Sequence, residues 1–469
     1  MICVIGEVLS AISNVMYSYV LIIMLLAVGM YFTFRTGLVQ LTMFKETLKV
    51  IMEKPDNDGS VSSFQALMVS TASRVGTGNI IGVSTAMCLG GYGAMFWMWV
   101  IAIIGGASAF VESTLAQIYK RKGPEGSYGG PAYYIEAAIG SRALAVAFAI
   151  ALIMTYGVGF NMLCAYNLQS TFMPFNFYDE ASTPAVIGGI LAVLTGYCLF
   201  GGGKRVVHAA SMLVPVMGII YIGVALVLTL MNMGQLPHVF SMIFSQAFDM
   251  QSIFSGFAGS CIMYGIKRGL YSNEAGVGSA PNAAAAADVS HPVKQGLVQM
   301  FSVFIDTILI CSATAFMCMS SGIEPTAELA GAPYVQAALA SSLGEWSMGF
   351  LTLCMVLFAF TTLLGNLYYV DNCVAYILGY FPSKMFHNVQ NIIACIIIFV
   401  GAISSMGTMW DLADVTMGFM AIINLPVICI LGSKALKALE DYKSQMDKGT
   451  PITFVAKNIG IKEKLDYWN

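Results

Sequence analysis

The chain has 469 residues, 58% of them hydrophobic and only 10% charged, where an ordinary soluble domain carries roughly 25% charged residues. That balance excludes a string of soluble domains, and a net charge of −3 without a basic cluster excludes a nucleic-acid partner. What remains is a polytopic membrane protein: stretches such as 8–34, 75–111, 143–178 and 206–248 contain no Lys, Arg, Asp or Glu, and each exceeds the roughly 20 residues that a helix needs to cross a bilayer. A porin-like barrel is excluded as well, because Tyr19 to Val28 is apolar on every face whereas barrel strands alternate.

Turn residues and charges predict an all-α protein of eleven spans, near 12–36, 61–90, 92–118, 142–171, 184–200, 208–233, 251–287, 297–319, 346–378, 388–405 and 412–432. Gly90-Gly91 turns the second span tightly into the third. The eleven cysteines are scattered, form no CxxC pair and read as small buried hydrophobes, so neither a disulfide framework nor a metal cluster is expected. The N-terminus lacks a basic region ahead of its apolar run, which favours a retained first helix over a cleaved signal peptide.

Alternate loops differ sharply in charge. One set (37–60, 119–141, 201–207, 288–296, 379–387 and the tail from 433) carries most of the 22 Lys and Arg; the other carries acids, including Asp179, Glu180, Asp249, Glu324, Glu328, Glu345 and Asp411. The positive-inside bias then predicts a multi-pass cell-membrane protein with an external N-terminus and a cytoplasmic C-terminus. The tail is too short for an ATPase, so transport would draw on an ion gradient.

Two glycine-rich stretches interrupt the apolar pattern: Thr71-Ala-Ser-Arg-Val-Gly-Thr-Gly-Asn79 in the second span and Gly269-Leu-Tyr-Ser-Asn-Glu-Ala-Gly-Val-Gly-Ser-Ala-Pro281 in the seventh. Each glycine costs a helix about 1 kcal/mol relative to Ala. Small residues at helix crossings would explain the glycines alone, but not the polar residues beside them. With residues 1–60 as a peripheral first helix and loop, the breaks fall in helices one and six of a ten-helix core. The core then divides into five-helix units, 61–233 and 234–432, followed by the tail 433–469. An odd-numbered unit repeated in sequence is inserted with opposite topology, which is the inverted repeat of a secondary transporter with its site at the breaks.

Unwound helix ends suit a zwitterionic amino acid: N–H groups favour its carboxylate, while free carbonyls and hydroxyls suit an ammonium or Na+. Asn79 and the amides of Thr77 and Gly78 are therefore candidates for the substrate. Oxygens near Ser73 and Gly76, with the hydroxyls of Thr361 and Thr362 in the ninth span, are candidates for sodium; the alternative is that both threonines bond to their own helix. No histidine sits where proton coupling would need one. Among the intramembrane charges, Arg74, Lys267 and Arg268 with Glu112, Glu274 and Asp306 are expected to form a network closing the cytoplasmic exit, or a fixed structural pairing.

Gly76-Thr-Gly-Asn-Ile-Ile-Gly82, Phe96-Trp-Met-Trp99, Gly129-Gly-Pro-Ala-Tyr-Tyr134, Ser272-Asn-Glu-Ala-Gly-Val-Gly-Ser279, Phe304-Ile-Asp-Thr307, Asn424-Leu425 and Pro451-Ile-Thr-Phe454 resemble the alanine or glycine:cation symporter family, over about residue 10 to Phe454. The resemblance implies a leucine-transporter-type core and inward co-transport of Na+ with a small neutral amino acid (alanine, glycine or serine class), with no other cofactor and no bond made or broken. A monomer in the lipid bilayer is expected to suffice. Thr77, Gly78, Asn79 and Tyr271 fall on the family's substrate positions, and Thr362 is a further substrate candidate. Tyr92 stands where the family usually has proline, and two substrate candidates depart from the family: Cys164 stands where it has Gln, and Asn366 where it has Trp. These changes leave open a larger polar substrate such as glutamine; a non-transporting channel or amino-acid sensor is the further alternative.

Overall fold

The computed structural model describes residues 2–55, 57, 60–124, 126–248 and 261–468, and side chains within them from Gly6 onward except that of Met406. The start of the expected seventh span, 251–260, and Asp249 lie outside the described residues. Helices dominate: α1 (Gly6–Arg35), α2 (Phe44–Met52), α3 (Ser63–Arg74), α4 (Ile81–Gly90), α5 (Gly93–Ile118), α6 (Pro131–Ile139), α7 (Arg142–Ser170), α8 (Thr183–Leu199), α9 (Gly203–Met231), α10 (Leu236–Ala247), α11 (Cys261–Asn273), α12 (Pro292–Ser320), α13 (Ala332–Leu343), α14 (Trp346–Leu378), α15 (Lys384–Ala402) and α16 (Met406–Asp447). A two-stranded hairpin, β1 (Arg121–Gly123) and β2 (Gly126–Tyr128), follows α5.

Among the described residues, eight helices (α1, α5, α7, α9, α12, α14, α15 and α16) are long and apolar enough to cross a membrane, and α8 is a shorter apolar helix. Their burial sorts them. About two thirds of the apolar window of α5 is inside the protein (67%), but only 22% of that of α15, so α5 is a core helix and α15 offers most of its surface outward. Helix α5 packs along α11, α12 and α1, while α15 lies on α7 and α8, and α14 touches α3, α7 and α9. Three helices widen into π turns, at Met16–Val20, Ile153–Gly159 and Phe304–Cys311. Such turns are frequent at functional sites.

The expected reversal at Gly90-Gly91 is present. Gly91 adopts φ 76°, and a Cβ on Gly93 would stand 2.5 Å from the backbone nitrogen of Ala247, so α5 can start there only with glycine. Helix α3 begins with a reciprocal cap, in which Ser62 Oγ accepts from the Gln65 amide (3.1 Å) and Gln65 Oε1 accepts from the Ser62 amide (3.0 Å). That cap sits on the face that carries the C-terminal tail. Helix α3 therefore runs into the protein from the tail face, whereas α11 starts beside Gln246, by the end of α5 that lies away from the tail.

Candidate functional site at the two helix breaks

The first break is a change of direction over two residues. Helix α3 ends at Arg74; Val75 and Gly76 are extended, a single 3-10 turn spans Thr77–Asn79, and α4 resumes at Ile81. Gly76 at φ −145° needs no special backbone freedom. It is glycine for space: a Cβ there would lie 2.0 Å from Thr362 Oγ1. A Cβ on Gly78 would likewise lie 2.5 Å from Cε1 of Tyr271. The two glycines let α14 and α11 close on the broken backbone.

The second break has a different cause. Glu274, Gly276 and Gly278 all take left-handed angles, φ 54°, 82° and 90°, which end α11 and re-aim the chain before the turn at Pro281. Side chains replace the lost helical bonds. Ser73 Oγ and Ser279 Oγ donate to Glu274, at 3.1 and 2.6 Å, so the carboxylate joins the two breaks. Asn424 of α16 holds the far side: its Nδ2 donates to the Gly276 carbonyl (3.0 Å) and to Glu112 (2.8 Å), and its Oδ1 accepts from Tyr134 (2.6 Å).

Asn79 is fully buried and turned away from the gap. Its Oδ1 accepts from the Gly76 amide at 2.8 Å, closing the 3-10 turn. Its Nδ2 donates to Ser272 Oγ (3.0 Å) and to Asp306 (2.6 Å), and Asp306 also accepts from Ser272 and Thr307. A carboxylate on the π turn of α12 thus positions the residue that shapes the first break.

Between the breaks lies a small cavity lined by Ser73, Arg74, Gly76, Thr77, Gly78, Phe160, Tyr271 and Thr362, about 10 Å³ in volume. That is room for no more than about one water. Of the residues expected at the site, Ser73, Gly76, Thr77, Gly78, Tyr271 and Thr362 are brought together here. Thr77 accepts from Asn167 Nδ2 at 3.1 Å. Thr362 Oγ1 is buried without a hydrogen-bond partner among the described residues. Its neighbour Thr361 is turned the other way, donating to the carbonyls of Leu357 (2.9 Å) and Phe358 and contacting Met217 of α9.

Cys164 and Asn366 stand behind this lining. Cys164 Sγ points at the Ala359 carbonyl, 3.5 Å away. Asn366 is fully buried, accepting from Ser73 Oγ (2.8 Å) and donating to Asn161 Oδ1 (3.0 Å). Two aromatic residues escaped the sequence reading. Phe160, which follows the π turn of α7, and Trp410, near the start of α16, flank Tyr271 with ring centroids 4.7 and 5.0 Å away. The only sequence signal for Phe160 was the pair Gly157 and Gly159 beside it.

The expected single network of intramembrane charges is corrected by the structure into separate groups. Arg74 lies 4.0 Å from Glu274 and donates to the Gln299 carbonyl (3.1 Å). Lys267 and Arg268 instead pair with Asp414 of α16, at 3.4 and 2.6 Å, and Arg268 lies 3.9 Å above the Trp410 ring. The reason is topological. Lys267 and Arg268 precede the break in α11 and Arg74 precedes the break after α3, and these half-helices enter from opposite faces.

Known proteins place this geometry in a family. The model of the sodium:alanine symporter family matches residues 3–456. The chain is similar to the amino-acid carrier protein AlsT of Bacillus subtilis, 41% identical over 456 residues that cover 97% of this chain and 96% of that protein. It is as similar, at 41% identity over 97% of this chain and 94% of the other, to the probable sodium/glutamine symporter GlnT of Bacillus subtilis. The sodium/alanine symporter AgcS of Methanococcus maripaludis is 36% identical, with 88% of this chain and 91% of that protein covered. The chain belongs to the sodium:alanine symporter family.

Proposed function

We propose that the chain carries a small neutral amino acid of the alanine, glycine or serine class into the cell together with Na+, by alternating access around the cavity between the breaks. The observation that carries this reading is the buried, unpartnered hydroxyl of Thr362 opposite Gly76. An orphaned buried hydroxyl costs about 1–3 kcal/mol, which a bound cation repays. Sodium then takes Thr362 Oγ1, Ser73 Oγ and the main-chain carbonyls near Ser73 and Gly76 as neutral oxygen ligands. Thr361 has no part in it.

The amides of Thr77 and Gly78 bind the substrate carboxylate, because they open the half-helix α4 on its positive end. Tyr271 and Phe160 form the wall over the side chain. A cavity of about 10 Å³ cannot hold even glycine, so binding displaces the Tyr271 ring from above Gly78. The two broken spans, the nine apolar helices among the described residues and the charge of the loops support eleven crossings, an inverted repeat of 61–233 and 234–432, an external N-terminus and a tail face in the cytoplasm. A monomer in the cell membrane meets these requirements.

A second reading is a larger polar substrate such as glutamine. It is favoured by the position of Tyr271, a ring in tilted and edge-on contact with Phe160 and Trp410, whose displacement would free more volume than alanine uses. Uptake of radiolabelled alanine into proteoliposomes, with and without an inward Na+ gradient, tests the proposal. Competition by unlabelled glycine, serine, threonine and glutamine separates the two substrates. Uptake indifferent to Na+ would overturn both.

A further inference from the structure

We propose that residues 451–468 form a strap that restrains the opening of the cytoplasmic vestibule, an inference that rests on the orientation and alternating access proposed above. The segment is not a loose tail. After α16 the chain reverses on Gln445, whose side chain accepts from the Thr453 amide (2.9 Å) and donates to the Thr453 carbonyl (2.8 Å). The Phe454 amide then donates to the Ser290 carbonyl just before α12 (3.1 Å), and the Phe454 ring meets the His291 ring at 4.9 Å.

The far end is held harder. Glu463 pairs with Lys434 of α16, and Asp466 pairs with Arg121 (3.2 Å) while accepting from the Lys122 amide (3.0 Å). Trp468 Nε1 donates to the Gln117 carbonyl of α5 at 2.8 Å. The Lys120 ammonium lies 4.7 and 4.8 Å from the centroids of the Tyr467 and Trp468 rings. Trp468 packs against the cluster of Ala66, Ala287 and Val289, which joins the start of α3 to the segment that follows the second break.

Each of these anchors is on an element that forms the vestibule or adjoins it. The vestibule has a volume of about 1640 Å³ and is lined by Val61 to Gln65 except Ser63, by the β1–β2 hairpin, by the start of α9 and by the ends of α14 and α15; Tyr467 of the strap is part of its wall. The strap therefore ties α3, α5 and the Ala287–Ser290 segment to the long end of α16. Release to the cytoplasm requires α3 to move away from the scaffold, and that movement pulls Ala66 out of the cluster on which Trp468 rests. Two half-exposed ion pairs and one aromatic anchor make the restraint small enough to be broken in every cycle.

The test uses the full chain with Ala286→Cys as a reporter. Ala286 lies on the vestibule wall and is 8% exposed. Its labelling by a membrane-impermeant thiol reagent is followed from the cytoplasmic face in inverted vesicles, with the parent protein as baseline. Asp466→Arg and Trp468→Ala are each expected to raise the labelling rate by roughly three- to ten-fold, a modest population shift. The exchanged pair Arg121→Asp/Asp466→Arg is expected to return it toward the parent value. Unchanged labelling in both single variants, or a rise that the exchanged pair does not reverse, overturns the strap while Na+-driven uptake in the same vesicles leaves the transport reading standing. Loss of Na+-driven uptake in the parent protein would instead strike at the transport reading. Should Trp468→Ala fail to insert, Trp468→Phe keeps the packing and removes only the bond to Gln117, and it must then raise the rate by itself.

Discussion

The two breaks perform one task by different physics. At the first, the backbone is ordinary and the glycines are required by what approaches them: Thr362 at Gly76 and Tyr271 at Gly78. At the second, Gly276 and Gly278 hold left-handed angles and also press on Leu425 and Phe148, each 2.8 Å from the Cβ that a larger residue would add. A clash can be relieved by trimming the neighbour; a forbidden backbone angle cannot. The first break is therefore the adaptable one, and the second is fixed by its backbone.

The largest effects should come from testing that distinction directly. Gly276→Ala adds about 1–2 kcal/mol of left-handed strain to its clash, and Leu425→Ala beside it should not restore the level of folded protein in detergent. Gly76→Ala is expected to lower the folded yield and abolish Na+-driven uptake, but Gly76→Ala/Thr362→Ala should recover the folded yield because the hydroxyl 2.0 Å from the added Cβ is gone. Recovery in both double variants, or in neither, would erase the contrast.

Next in size is the cation. Thr362→Val keeps the branched shape and removes the unpartnered oxygen, so the Na+ concentration for half-maximal uptake should rise by roughly tenfold, the loss of one ligand worth about 1.4 kcal/mol. Thr361→Val should move it less than about twofold, because that hydroxyl serves its own helix. Equal shifts in the two variants would remove sodium from the first break.

Specificity gives a smaller effect. Tyr271→Leu should improve competition by glutamine relative to alanine by roughly three- to ten-fold, since a shorter side chain leaves volume above Gly78. Smallest is the change in preference from Asn366→Ala. Its loss leaves Asn161 Oδ1 without its donor, while Ser73 keeps Glu274, and should lower stability by about 1–3 kcal/mol, yet the order of competing amino acids should stay as it is. A changed order would bring Asn366 into the substrate cavity after all.

The sites of the breaks were legible in the chain because glycine next to serine, threonine and asparagine has no use in a helix facing lipid, and that conflict is local. The hairpin at Gly90-Gly91 was legible for the same reason. The partner of Arg268 was not. Asp414 is 146 residues away, and only the packing of α16 against α11 brings it to the guanidinium.

By itself, then, the sequence determined a membrane protein of apolar helices, the asymmetry of its loops and the two places where a helix must stop, since each follows from what water, lipid and the backbone tolerate at one position. Only the tertiary structure decided which of two adjacent threonines offers a free oxygen. A step of one residue turns a side chain by about 100° around a helix, so Thr361 meets α9 and Thr362 meets Gly76. It alone also turned Asn79 onto Asp306, set Phe160 beside Tyr271 and put Tyr467 of the tail in the vestibule wall, because each of these contacts joins elements whose packing no local pattern encodes.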